Sequence, residues 1–227
     1  MKKFFFFLII SQFVFSQERA VDIQFSGYIE TYYAYDFNTP NSEMKLPFMY
    51  NYNRHNEFNV NIGLLRVKAE YENVYASIAL HSGTYIDDNY ATENTKLLNE
   101  AFVGLYLDSP KKQTVEVGVM PSYIGFETAI SSSNLTLTRS LLAENSPYYM
   151  TGVKYGYKPN EKWSLAFLVT NGWQRIKRTN TKIPPALGTQ ISYKPTAKSL
   201  FNWSSYLGKE VYNQYWGVRF FNNFYWD

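Results

Sequence analysis

The sequence contains no cysteine, which excludes disulfide bonds, thiolate metal sites and a lipid-modified cysteine anchor. After residue 16 it also lacks any apolar run near the 20 or so residues that a membrane-spanning helix needs. A large charge of one sign is absent too, since the formal net charge is +3 and Lys2 and Lys3 supply two of those charges. A near-neutral chain has no electrostatic basis for binding nucleic acid, so we expect no such partner.

The N-terminus has the layout of a secretory signal peptide. Lys2 and Lys3 precede a short apolar stretch at residues 4–15, and a small-residue cleavage site follows at Ser16. The apolar stretch is too short to span a membrane, although an uncleaved anchor is the alternative. We therefore predict an exported protein with two parts: a signal peptide at residues 1–16 and one mature domain at residues 17–227.

Aromatic residues are abundant, with 21 Tyr, 17 Phe and 5 Trp in 227 residues. Tyr and Trp collect at membrane–water interfaces because one end of each side chain is apolar and the other is polar. The clusters Tyr32-Tyr33, Tyr148-Tyr149 and Phe224-Tyr225-Trp226 are therefore interpreted as parts of interfacial belts. Sugar stacking inside a solute-selective pore is the alternative role.

Apolar and polar residues alternate along most of the chain, as in β-strands with two different faces. A soluble strand usually has about five or six residues, whereas a strand tilted across a bilayer needs about 9 to 11. Ten alternating segments are predicted as strands: residues 21–37, 57–71, 74–83, 98–107, 114–120, 148–158, 163–170, 187–194, 200–207 and 218–227. In the second segment Phe58, Val60, Ile62 and Leu64 share one face before the alternation changes parity. A one-residue β-bulge near Leu64 would restore the register and keep Arg66, Lys68 and Glu70 on the polar side.

The predicted connections alternate between tight and long. The tight ones are 72–73, 108–112, 159–162 and 195–198, and the long ones lie near 38–56, 84–96, 121–147, 171–186 and 208–217. Outer-membrane barrels have short periplasmic turns and longer outside loops, whereas a soluble β-sandwich, the alternative, has no reason to sort its loops in this way. The predicted fold is therefore all-β: an antiparallel transmembrane β-barrel in the cell outer membrane, with about ten strands and a periplasmic N-terminus.

The polar face of the predicted strands carries charges of both signs. Because a charge that faces lipid is costly, we predict that these residues line a hydrated lumen: Glu30, Arg66, Lys68, Glu70, Glu100, Glu116 and Lys154. Several glycines share this face, including Gly104 and Gly188. They either leave room for a segment folded into the barrel or ease strand curvature.

The longest connection, residues 121–147, is too apolar for a simple solvated loop. If it folds into the barrel, its leucines at 135, 137, 141 and 142 are expected to be buried against the wall. Arg139 and Glu144 would then face the remaining channel and form a constriction. Alternatively, the segment packs as an outer cap in which Arg139 and Glu144 pair with each other.

Several long motifs cover most of the mature chain: FSGYIETYYAYDF at 25–37, PFMYNYNRHNEFNVN at 47–61, SYIGFETAISSSNLTLTRSLLAENSPYYMTGVKYGY at 122–157, NGWQRI at 171–176, ALGTQISYKP at 186–195 and RFFNNFY at 219–225. In these motifs the sequence resembles the OmpL-like family of outer-membrane β-barrel porins. The resemblance implies a porin-type barrel, but no particular solute and no site residues. It also implies further strands after residue 225, so the chain is expected to be a truncated form of a longer barrel.

Candidate catalytic groups are few. His55 and His81 are the two histidines, and no nucleophile elbow accompanies them. The run Asp87-Asp88-Asn89 offers oxygen ligands for Ca²⁺ but lacks the spacing of a dedicated loop. We therefore predict no catalytic residue, no cofactor, no metal and no enzymatic activity.

The function predicted from the sequence is passive diffusion of small hydrophilic solutes through a barrel that residues 121–147 narrow. The alternatives are a non-channel structural or adhesive barrel that binds a partner through its outer loops, and an outer-membrane hydrolase. The expected partners are outer-membrane lipid, the solutes, and the barrel-assembly machinery during insertion.

Overall fold

The computed structural model describes residues 20–41, 44–46, 48–90, 93–178, 180–212 and 215–227. The predicted signal peptide at residues 1–16 lies outside these ranges. Within them, no helix is long and apolar enough to cross a membrane.

Ten antiparallel strands form one sheet in which each strand pairs with the next along the chain. They are β1 (Asp22–Tyr33), β2 (Phe58–Tyr71), β3 (Val74–Ser82), β4 (Leu98–Tyr106), β5 (Gln113–Pro121), β6 (Tyr149–Asn160), β7 (Trp163–Thr170), β8 (Ala186–Thr196), β9 (Ser199–Tyr212) and β10 (Tyr215–Trp226). The prediction of an all-β antiparallel fold with about ten strands is confirmed. No pairing between β1 and β10 is found among the described strands, so the sheet is open there.

The two faces of the sheet differ in chemistry. One face is apolar and exposed: Phe25 and Ile29 on β1 are 79% and 73% exposed, and Phe220 on β10 is 69% exposed. The other face, called the concave face below, carries the polar residues and packs against the long connections. So large an exposed apolar surface is typical of a protein that meets lipid or a partner.

The predicted β-bulge occurs three residues earlier than expected. The register between β1 and β2 shifts so that Asn61 is the extra residue. As a result Ile62 and Leu64 turn to the concave side and are 1% and 5% exposed, whereas Phe58 and Val60 stay on the exposed face. The prediction that all four share one face is therefore wrong for Ile62 and Leu64.

Tight and long connections alternate along the first nine strands. The tight ones are 72–73, 107–112, 161–162 and 197–198, and the long ones are 34–57, 83–97, 122–148 and 171–185. They define a short-turn end and a long-connection end of the sheet. The predicted long connection at 208–217 is wrong, because β9 runs to Tyr212 and β10 begins at Tyr215. Charged residues there suggest a loop, but strand pairing continues through them.

The long connections fill part of the concave side. The connection at 83–97 contains helix α1 (Thr84–Asn89), and the one at 122–148, called the crossing segment below, contains helix α2 (Leu141–Glu144). One buried cluster joins these elements to β2, β3, β5 and β6, and a second lies toward β7–β9. The first consists of Ile62, Leu64, Ala79, Tyr85, Ile86, Tyr90, Val119 and Tyr149, and the second of Tyr123, Ile124, Met150, Leu168, Ala186 and Tyr206.

Aromatic side chains occur in pairs near both ends of the exposed face. Tyr33 packs on Phe58 at the long-connection end, with ring centroids 4.9 Å apart. At the short-turn end Trp163 stacks on Tyr193 at 4.4 Å. The predicted belt clusters divide between the faces, because neighbouring strand residues point to opposite sides. Tyr148-Tyr149 does not belong to a belt, since Tyr149 is 1% exposed inside the first cluster.

Candidate functional site on the concave face

The charges predicted to line a lumen all lie on the concave face, and most of them pair across strands. Arg66 of β2 reaches over β3 to Glu100 of β4, with Nε–Oε1 and Nη2–Oε2 distances of 2.9 and 3.2 Å. Ala79 lies directly between them in the register, and its small side chain leaves the path open. Glu100 is 2% exposed and also accepts a hydrogen bond from Ser77. The buried carboxylate is thus fully engaged.

A second ion pair lies between the next strands. Glu116 of β5 and Lys154 of β6 are direct partners in the register and form a salt bridge. The Tyr75 hydroxyl donates to Glu116 at 2.6 Å. The Tyr75 ring occupies the space above Gly104, where a Cβ atom would lie 2.1 Å from the ring. Gly104 therefore makes room for an aromatic side chain of the neighbouring strand β3 and not for a segment folded into the barrel.

Glu30 joins the first long connection to the wall. Its carboxylate accepts hydrogen bonds from Tyr28 at 2.8 Å, Tyr52 at 2.6 Å and Asn61 at 2.6 Å. Tyr52 belongs to the 34–57 connection, and burial together with the hydrogen bond to Glu30 raises the pKa of Tyr52 to about 12. The hydroxyl therefore stays protonated and keeps donating to Glu30 at neutral pH.

The two remaining predicted lining residues lie near the short-turn end. Lys68 is exposed on the concave face of β2. Glu70, two residues further, forms a salt bridge with Lys111 of the 107–112 turn, and both side chains are 42% exposed. The seven predicted residues thus form a band of charges that runs from the long-connection end to the short-turn rim.

The crossing segment contacts both halves of the concave face. The Tyr123 hydroxyl donates to the Ser205 carbonyl of β9 at 2.6 Å. The Tyr123 carbonyl in turn accepts from Gln190 of β8 at 2.7 Å and Ser204 of β9 at 2.9 Å. At the other side Ala129 and Ile130 pack against the first buried cluster, which contains Ile62 and Leu64 of β2. The segment therefore lies across the concave face.

Arg139 and Glu144 pair with each other inside the packed part of the crossing segment. Arg139 Nη2 lies 3.2 Å from Glu144 Oε1, and the side chains are 0% and 1% exposed. The Arg139 guanidinium also stacks on the rings of Tyr85 and Tyr148, at 4.6 and 4.4 Å from their centroids. Burial raises the pKa of the Glu144 carboxyl even though the cation is adjacent. The pair ties the crossing segment to α1.

The leucines of the crossing segment are not buried, so that expectation is wrong. Leu135 is 83% exposed and Leu137 is 69% exposed. The short helix α2 turns Ala143 and Glu144 inward and leaves the leucines at 141 and 142 outside. Tyr123 and Ile124 supply the buried apolar contacts instead.

Two of the cavities that adjoin the crossing segment lie over the middle strands of the concave face. The larger, about 610 Å³, opens between residues 121–125 and the short-turn end of β3–β8. The smaller, about 330 Å³, lies beside Arg66 and Glu100. Sequence reasoning singled out Lys154 of the larger cavity but not Tyr123, Lys111, Lys112 or Lys158. Lys112 and Lys158 are separated from Glu116 and Lys154 by even numbers of residues. This spacing was the available signal that they share the concave face.

The histidines and the acidic run take structural roles. The His81 ring is 3% exposed and its Nδ1 lies 3.1 Å from Asn99 Nδ2, while His55 Nδ1 accepts from the Asp36 backbone N–H at 3.0 Å. Asp88 holds Arg54 in a two-point salt bridge at 2.7 and 2.9 Å, and that hydrogen bonding raises the pKa of Arg54. In the described part of the chain, no three His, Asp or Glu side chains come together as a metal site.

An apolar exposed face, a charged concave face and alternating turns and loops are the features of a β-barrel of the porin type. Residues 22–227 match the family described as "Putative beta-barrel porin-2, OmpL-like", and the chain belongs to this family. Family membership implies an outer-membrane location, and the family description is that of a porin rather than an enzyme. No curated protein and no solved structure matches the chain.

Proposed function

We propose that the protein is an outer-membrane porin through which small hydrophilic solutes diffuse passively, past the crossing segment. The observation that supports this most directly is the contrast between the faces. An exposed apolar face suits lipid, whereas a band of charges on the other face suits water. Diffusion down a gradient requires no cofactor and no catalytic group.

The crossing segment is the element that would narrow the path. It bonds to β8–β9 through Tyr123 and packs through Ile130 against the cluster that contains Ile62 and Leu64 of β2, and so divides the space over the concave face. The buried Arg139–Glu144 pair would hold the segment in place. Because most charges on the concave face pair with the opposite sign, we expect weak ion selectivity.

Single-channel conductance in a planar bilayer tests the proposal. The sample is the folded chain, identified by its heat-modifiable mobility on gels. Discrete, stable current steps are expected. Properly folded protein that gives no current would overturn the porin function. A reversal potential that strongly favours one ion sign would contradict the weak ion selectivity.

A second candidate function is a non-channel barrel that binds a partner through its long connections. The exposed leucines of the crossing segment favour it, because Leu135 and Leu137 offer apolar surface beside a long-connection end. Two results together would support this function. The folded barrel would carry no current, and the Leu135→Ser/Leu137→Ser variant would no longer bind whole cells.

The route to the membrane is part of the proposal. Export by residues 1–16 predicts that the mature chain begins at Gln17. N-terminal sequencing of protein isolated from outer membranes is the check, and an intact Met1 would contradict it.

A further inference from the structure

The larger cavity on the concave face has an unusual distribution of charge. It has a volume of about 610 Å³ and is lined by four lysines and one carboxylate. The lysines are Lys111, Lys112, Lys154 and Lys158, and the carboxylate is Glu116. This part of the otherwise balanced face is therefore cationic.

Three of the four lysines, Lys112, Lys154 and Lys158, lie in line along β6 and the adjoining end of β5, and Lys111 belongs to the 107–112 turn. Starting from the Glu116–Lys154 pair and moving toward the short-turn end by steps of two residues leads to Lys112 and Lys158, which therefore share the concave face. These two are adjacent across the strands, since the Lys158 backbone N–H donates to the Lys112 carbonyl at 2.8 Å.

Two of the four charges are neutralised and two are not. Lys154 pairs with Glu116, and Lys111 pairs with Glu70. Neither Lys112 nor Lys158 has a carboxylate partner within the described ranges. Two neighbouring ammonium groups at the mouth of a walled cavity attract anions, because low-dielectric walls focus their field.

The rest of the lining supplies neutral hydrogen-bonding groups and flat apolar surface. Tyr75 and Tyr106 form an aromatic wall with ring centroids 4.8 Å apart. Ser164 and Gln190 contribute polar atoms from β7 and β8. Thr114 adds a hydroxyl that packs against Gly156, where a Cβ atom would lie 2.6 Å from Thr114 Oγ1.

We infer that this cavity binds small oxyanions, with their carboxylate or phosphate oxygens at Lys112 and Lys158. The site is an anion-collecting chamber at the short-turn entrance, below the crossing segment. As a step in transport it rests on the proposed porin function, but binding itself does not require an open pore. Lysine ammonium groups bind phosphate and carboxylate as point charges, so affinity is modest and depends on salt.

Lysine footprinting tests binding. The full folded chain in detergent micelles is acetylated with an N-hydroxysuccinimide ester in inorganic phosphate, in citrate, or in sodium chloride of equal ionic strength, and each lysine is followed by mass spectrometry. Modification of Lys112 and Lys158 is expected to slow about threefold when the anion is at twice its dissociation constant. Exposed Lys182 and Lys198, which lie outside the cavity, should keep their rates. If each of the four lysines were modified at the same rate in phosphate, citrate and sodium chloride, the proposed anion site would be overturned.

Reversal potentials in a potassium chloride gradient test the link to transport. The Lys112→Gln/Lys158→Gln variant should lower the chloride-to-potassium permeability ratio about twofold or more, whereas Lys182→Gln/Lys198→Gln should leave it unchanged. Heat-modifiable mobility checks that each variant folds. If Lys112 and Lys158 are protected but the protein carries no current, the anion site is supported and the porin function is overturned. Current without protection would remove the site and leave the porin function standing. Protection together with an unchanged permeability ratio would remove the role of the site in transport.

Discussion

Gly188 and Tyr123 share one volume on the concave face. A Cβ atom at Gly188 would lie 2.1 Å from the Tyr123 hydroxyl oxygen and 2.6 Å from its ring carbon Cζ. The tyrosine is 6% exposed, and its hydroxyl donates to the Ser205 carbonyl. Gly188 of β8 therefore leaves the space that the Tyr123 ring occupies, and this ring fixes the crossing segment to β8 and β9.

Gly188→Ala should displace the Tyr123 ring and loosen the crossing segment. The expected loss in the free energy of unfolding is about 1–3 kcal/mol, as for overpacking of a filled interior. Gly217→Ala is the matched control, because nothing lies within 4 Å of a Cβ there. Urea unfolding of the bilayer-reconstituted variants gives the comparison, and equal stability of the two variants would contradict the shared volume.

Arg66→Met should leave the Glu100 carboxylate buried without its cation. Removing one partner of a buried pair costs about 3 kcal/mol, and Arg66→Met/Glu100→Leu should recover much of it. At the exposed rim, Lys111→Met breaks the pair with Glu70 and should change stability little, because solvent screens that pair. The midpoints of urea unfolding rank the stabilities of these variants. Equal losses of stability from Arg66→Met and Lys111→Met would argue against a buried Glu100 carboxylate that depends on Arg66.

Arg139→Ala should free the crossing segment from α1. The variant loses the Glu144 pair, the stacking on two tyrosine rings and a hydrogen bond to the Thr128 carbonyl at 3.0 Å. We expect a larger and noisier single-channel current, with Lys182→Ala as the control. An unchanged current would count against a narrowing role for the segment.

Glu144 predicts a pH dependence. Because burial raises its pKa above the usual value of 4.5, the folded chain favours the protonated carboxyl. Its contribution to stability is complete below the unfolded pKa and is lost as the pH rises through the folded pKa. The stability of the natural chain relative to Glu144→Gln should therefore fall as the pH rises from below 4.5 through the raised pKa of the folded chain. A difference that grows with pH in favour of the natural chain would mean that the ion pair outweighs desolvation.

Phe25 and Ser26 are neighbours that point to opposite faces of β1. Arginine at Phe25 should destabilise the bilayer-inserted protein by about 1–3 kcal/mol, whereas arginine at Ser26 faces water and should cost much less. Folding titrations into lipid vesicles measure both. Equal costs would mean that the exposed apolar face does not meet lipid.

The period-two pattern predicts the strands and their faces because it is local. Ten strands, the tight turns and the concave position of Glu30, Arg66 and Glu100 all follow from it. The bulge position does not. Asn61 becomes the extra residue because its side chain bonds to Tyr52 and Asn51, and such contacts leave no mark in a local pattern.

The interior is harder to predict for the same reason. Nothing local indicates that α2 leaves Leu141 exposed while it buries Glu144 beside Arg139. The segment predicted as a loop at 208–217 belongs to the β9–β10 hairpin, and its sequence suggests a loop because Glu210 is polar. Its carboxylate, however, accepts the Trp173 backbone N–H at 3.1 Å from another connection.

The consecutive strand order divides the contacts of the chain into two groups, those between neighbouring strands and those between residues far apart in sequence. Every pairing in the wall joins strands that follow one another, so the wall can grow by one hairpin after another from short-range contacts. The bonds across the interior join distant residues: Tyr123 to Ser205, 82 positions apart, and Gln174 to Asn89, 85 apart. Those bonds form only after the later strands are in place. The part of the interior packing that joins distant residues therefore depends on strands that come late in the chain.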